Sequence, residues 1–253
     1  MCSSDLAVAG AVGLALGIVI GVAAKAGAAM VLLALLLAGI GIGIVILCTG
    51  FKHTCTYVGK EGVARYTCKG SRDNVTGRVF TFKDAAELRT QQTRHYTNNV
   101  YQGTNYTFTW SDLAGREAFK ISGTHKAEQG NPPAKDPFHF AAAAEQAWTI
   151  YLLDQVQAQL QMQGNIFFGL GGKNWVKLAE EFISVHMNGT TTECHAEDIA
   201  EVRIEQGMVE VRRKDAKKGW FSSTGIFRFP YGTLANAHLF LILMDKLVGV
   251  RIN

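Results

Sequence analysis

The sequence predicts a membrane-anchored α+β chain, in which an N-terminal transmembrane helical hairpin precedes two modules of antiparallel strands, each closed by one C-terminal helix. Three observations predict this. From Ala7 to Gly50 the only charged side chain is Lys25. Beyond it, short β-branched and aromatic runs alternate with Gly- and Asn-bearing turns, the pattern of antiparallel hairpins. Two short motifs then recur in the same order along the chain, which points to a tandem repeat.

The apolar stretch is too long for one crossing and suits two. Spans over 7–24 and 26–48 reach roughly 27 and 35 Å as helices, enough for the hydrocarbon core. A secretory signal would carry a shorter apolar region followed by a cleavage site. Gly13, Gly17 and Gly21, and again Gly39 and Gly43, recur at a spacing that lets helix backbones approach closely, within one hairpin or between copies of the chain. Lys52, His53, Lys60, Arg65 and Lys69 follow the second span against Glu61 alone, so the positive-inside rule places the following residues in the cytoplasm, on a multi-pass protein of the inner membrane. Residues 1–6, Met-Cys-Ser-Ser-Asp-Leu, read as a non-native or truncated start. Five cysteines without zinc-type spacing read most simply as thiols, the alternative being a Cys55–Cys68 bridge across one hairpin in an oxidising compartment.

The first module is expected over 51–164. Runs at 55–58 and 63–68 flank Gly59-Lys60-Glu61-Gly62, 79–82 continues the pattern, and 88–96, 106–110 and 117–122 form a meander. Asp136 and Pro137 then open a helix that Gly164 ends, with Phe138, Ala141, Trp148, Leu152, Val156 and Leu160 on one face. The second module, 165–253, offers strands at 182–187, 191–194, 199–205, 208–213 and 220–229. A helix over 233–248 closes it, with Leu239, Phe240, Leu243, Met244 and Leu247 as its apolar stripe. Residues 175–181 fit a strand or a helical turn, and Gly169 to Lys173 reads as a linker turn. The repeat is carried by Asp84-Ala85-Ala86-Glu87-Leu88-Arg89 against Asp198-Ile199-Ala200-Glu201-Val202-Arg203. Its second echo pairs Leu152-Leu153-Asp154 with Leu243-Met244-Asp245.

Strands followed by a single helix, twice over, is the layout of tandem pleckstrin-homology-like domains. The chain resembles a family of bacterial membrane proteins of unknown function that join a transmembrane hairpin to two such domains. The residues carrying the resemblance are Arg94 to Thr104 in the first copy and, in the second, Asp198 to Arg203 with Gly207 to Arg212. The aromatic residue expected just before Asp84 stands two places upstream, at Phe82. The resemblance implies the fold and supplies no activity.

Chemistry is sparse. A net charge of +4 is too small to suggest nucleic acid as a main partner. Glu193-Cys194-His195 with Glu197 brings a thiol and an imidazole together, but neighbours in a strand point to opposite faces. No spacing indicates a metal site, a phosphate loop, a cofactor or a catalytic residue, so the chain reads as no enzyme. Two segments stand out. Arg212, Arg213, Lys214, Lys217 and Lys218 with Trp220 and Phe221 form a basic, aromatic hairpin tip suited to the anionic surface of a lipid bilayer. His95, Tyr96, Asn98, Asn99, Tyr101 and Tyr106 form an aromatic and amide-rich hairpin, the vocabulary of protein recognition surfaces. The expected function is a membrane-anchored interaction or scaffold protein binding a protein partner or the membrane surface. The alternative is an accessory subunit or small homo-oligomer of a membrane transport assembly.

Overall fold

The computed structural model describes residues 39–41, 52–69, 75–128, 132–218 and 223–250. Among them, strands β1 (Lys52–Gly59), β2 (Gly62–Lys69) and β3 (Val75–Thr81) make one sheet, and β4 (Glu87–Thr97), β5 (Val100–Ser111) and β6 (Glu117–His125) a second. A third runs in the order β10 (Thr190–His195), β9 (Phe182–Met187), β8 (Asn174–Ala179), β7 (Asn165–Gly171), and a fourth joins β11 (Ile199–Glu205), β12 (Met208–Lys218) and β13 (Ser223–Pro230). Helix α1 (Phe138–Gln163) follows β6, and α2 (Ala237–Leu243) follows β13, continuing as one π-helical turn over Met244–Val248.

The chain divides into two compact units. One comprises residues 1–54 and 66–76, where Thr76 Oγ1 donates to the Thr67 carbonyl at 3.2 Å. The other comprises 55–65 and 77–253 and contains the sites discussed below.

This corrects the expected fold class. The described residues are mostly strand in four small sheets, and no described helix is long and apolar enough to cross a membrane. The transmembrane reading and the multi-pass inner-membrane placement are corrected with it. The one long described helix, α1, has 26 residues, but Glu145, Asp154 and a run of glutamines give it a polar side that a bilayer would not accept. Of the spans expected over 7–24 and 26–48, only Gly39–Gly41 lie within the described residues, helical and exposed. The rest of 7–50, and residues 1–6, lie outside them. Nor is each set of strands closed by its own helix. α1 lies against β5, β6, β7 and α2, so one helix serves strands from both halves of the chain.

Local sequence explains most elements. Asp136 Oδ1 accepts from the Phe138 amide at 2.8 Å and Gly164, at φ 68°, ends α1 in the left-handed conformation. The α1 face of Ala141, Ala144, Trp148, Leu152 and Val156 is buried against Leu88, Phe108, Trp110, Phe168 and Phe240 in one contiguous core. The two copies of the first sequence echo occupy matching places. Phe82–Asp84 and Ala196–Asp198 are both 3-10 turns leading from one sheet into the next. Each begins with an amide donating at 2.8 Å to a glutamate carbonyl, Phe82 to Glu61 and Ala196 to Glu181.

Two local expectations differ and one open alternative is resolved. Gly169 belongs to β7 rather than a linker turn, its carbonyl accepting from the Ala235 amide at 2.8 Å. Residues 174–179 are β8, with Val176 and Leu178 inward and Trp175 and Lys177 outward. The last helix starts at Ala237, because Asn236 holds φ 53° and breaks the run from Thr233.

Asn236 is the junction of the large unit. Its Oδ1 accepts from the Leu88 amide and from Trp148 Nε1, both at 2.9 Å, and its own amide donates to the Leu88 carbonyl at 2.7 Å. One side chain thereby joins β4, α1 and the entrance to α2.

Candidate functional site

The most prominent surface is the β4–β5 hairpin. Every residue from Gln91 to Val100 is exposed, while the base of the same ribbon is anchored by Leu88, Phe108 and Trp110 in the core. Asn98 and Asn99, at φ 48° and 61°, form its two-residue turn, the left-handed geometry that matches the strand twist and that asparagine tolerates. Below the turn, the Tyr96 and Tyr101 rings meet edge to face at 5.8 Å. Tyr101 Oη lies 2.7 Å from Thr104 Oγ1 and donates to the carbonyls of His125, at 3.3 Å, and Ala127, at 3.1 Å. The ribbon is thus pinned to β6 and to the chain after it.

The sequence-selected residues divide between surface and support. His95, Tyr96, Asn98 and Asn99 are exposed, and Tyr101 is half-buried. Tyr106 is buried, its ring packed on Phe108, Phe138 and His125, and burial raises its phenol above the ordinary value. Gly123 faces it across the sheet, where any Cβ would clash with the Tyr106 hydroxyl.

Residues outside the selected set complete the site. Along β4, Gln92 and Arg94 alternate with outward residues onto the same face as Tyr106, and the register runs Arg94, Thr104, His125 across the three strands. Past the first turn of α1, that face opens into a cavity of about 220 Å³ lined by Gln92, Arg94, Thr104, His125, Ala127, Glu128, Pro132 and Phe138. His125 is only 7% exposed, stacks on Tyr106, meets Phe138 at 5.2 Å and leaves Nδ1 without a hydrogen-bond partner. A lone histidine in a strand carries no signal for this. Only the cross-strand register brings it beside Arg94.

The basic segment is placed differently. Arg212, Lys214 and Lys217 are exposed on β12, which shifts register between Arg212 and Lys217. Arg213 pairs with Asp215 at 3.1 Å. Lys218 pairs with Ser223 in the ladder, and Trp220 and Phe221 lie outside the described residues. Elsewhere, the Cys194 thiol is buried, and burial pushes its pKa up. His195 lies on the outer face beside the Phe182 ring, so the two do not face each other.

No protein-family model matches the chain, and no curated protein matches it in sequence.

Proposed function

We propose that the chain is a non-enzymatic interaction module whose β4–β5 hairpin binds a protein partner. The observation that carries this reading is the combination of continuous exposure from Gln91 to Val100 with a turn and a tyrosine anchor that fix the ribbon's shape. A preformed ribbon loses little conformational entropy on association, and Tyr with Asn and Thr offers large contact area with adaptable hydrogen bonds. The upper part of β4 is also the edge of its sheet, so its backbone is open to a partner's chain.

The test is site-directed photo-crosslinking in cells with the reactive side chain at Val100 and, as control, at Leu113, a 96% exposed residue on the β5–β6 turn. A partner captured only from Val100 is then purified, and its affinity is compared between the wild type and Tyr96→Ala. A loss of about tenfold or more, the mark of an energetically central residue, is expected. Equal capture at both positions, or unchanged affinity, would remove the hairpin as the binding surface.

A further inference from the structure

We infer that the cavity beside the hairpin is a carboxylate site that receives an acidic side chain of the bound partner. The inference rests on the protein-binding reading above and names what the partner must supply. At about 220 Å³ the cavity falls below the range of cofactor and drug-sized pockets, roughly 300–1,000 Å³, and suits one side chain. Its lining includes the apolar Ala127, Pro132 and Phe138, which fit a methylene stem. The lining also holds donors. Arg94 carries a planar fork suited to two carboxylate oxygens and makes no ion pair among the described residues. Gln92 adds an amide.

His125 is the second observation. Its ring is fixed by Tyr106 and Phe138 in the wall of the cavity, which makes it a rigid reporter of what the cavity holds, and its buried Nδ1 has no hydrogen-bond partner among the described residues. Thr104 Oγ1 is already bonded to Tyr101 Oη, which couples the cavity wall to the hairpin anchor. Glu128 is the single carboxylate in the lining, and it forms no ion pair with Arg94 among the described residues. Its negative charge disfavours a multiply charged anion, and it is the Arg94 guanidinium that favours a single carboxylate.

The experiment uses the full chain and follows the His125 ring protons by NMR during addition of N-acetyl-Gly-Glu-Gly-amide at millimolar concentration. The glutamate peptide is expected to shift them in a saturable way. The Gln counterpart is expected to leave them in place, Arg94→Gln to weaken the response at least fivefold, and free acetate to act more weakly than the peptide. Equal responses to the Glu and Gln peptides, no response to either, or a response that survives Arg94→Gln would overturn the inference. An acetate response as large as the peptide's would assign the cavity to a free acid and overturn the partner as its source. The hairpin reading fails separately. A partner lost in Tyr96→Ala but bound normally by Arg94→Gln leaves the hairpin standing and removes the carboxylate site.

Discussion

Two glutamates in the large unit have opposite surroundings. Glu145, on α1, accepts from Thr90 Oγ1 at 2.8 Å, and burial, its largest influence, pushes the carboxyl above its ordinary range, with the Thr90 bond and His238 opposing. The same region pushes the Tyr231 phenol up to about 12, by burial first and by Glu145 second. Glu210, on β12, is buried as well, and burial alone would raise it. Two hydrogen-bonded guanidiniums outweigh that, Arg228 at 2.6 Å and Arg203 at 2.9 Å, and hold the carboxyl below its usual value. The difference teaches that burial sets the cost of a charge and the partner sets its sign. The β11–β13 sheet keeps a charge by surrounding it, whereas the α1–β4 interior, lined with aromatics, tolerates one with a single hydroxyl.

The largest effect is expected at the joint of the first region, where Asn236 ties β4 to α1. Asn236→Ala removes the acceptor of both the Leu88 amide and Trp148 Nε1, two donors that have no replacement, at about 1–3 kcal/mol each. Urea denaturation should show a loss of about 2–6 kcal/mol, and Asn236→Gly, which keeps the left-handed backbone at no strain, should lose almost as much. If Asn236→Gly were close to wild type, the joint would be a matter of backbone conformation, and its side-chain bonds would be incidental.

Next comes Glu210→Gln. It leaves Arg203 and Arg228 facing each other without their shared carboxylate, at a cost of about 1–3 kcal/mol near neutral pH, moderated because both arginines reach solvent. The folded-state pKa is depressed, so the wild type holds this stability above the unfolded value near 4.3 and loses it as pH falls through the lower folded value. Denaturation curves of wild type and variant should therefore differ at pH 7 and converge near pH 2. Parallel profiles across that window would mean that the triad contributes shape alone.

How much of this was legible in the sequence follows the range of the interactions. Alternating strands, the Asp136 cap, the Gly164 stop and the α1 stripe depend on residues a few positions apart, and period and turn chemistry reveal them. The Asn98-Asn99 turn was visible for the same reason. The apolar character of 7–50 predicts membrane spans, whereas the described fold is set by the strand-rich remainder. β7 is not legible because Gly169, Gly171 and Gly172 read as punctuation, while β7 needs Gly169 beside Ala235, far along the chain; the β8 segment fits a strand or a helical turn equally by local pattern. The candidate site split along the same line. Tyr96 and Asn98 sit on a local hairpin, but Arg94, Thr104 and His125 meet only through three-strand register, and no short motif encodes that.

The smallest effect is the sharpest test of the comparison, because it should stabilise. Glu145→Gln keeps an oxygen for Thr90 and removes a carboxylate whose ionised form is disfavoured by burial. Because the folded-state pKa is raised, the folded protein binds the proton more tightly than the unfolded chain, so this residue's contribution to stability falls as pH rises from about 4.3 through the raised folded value. The variant lacks that slope. It should match the wild type at pH 4 and exceed it by about 1 kcal/mol at pH 8, a difference readable as a shift in the denaturation midpoint at each pH. The windows of the two glutamates do not overlap: Glu210 acts below the ordinary carboxylate value and Glu145 above it. A wild-type profile that declines on both sides, flattened on the alkaline side by Glu145→Gln and on the acid side by Glu210→Gln, is what the two environments require. A Glu145→Gln variant less stable than wild type at pH 8 would mean that the ionised carboxylate has a compensating partner in the α1–β4 interior, and the contrast between the two regions would disappear.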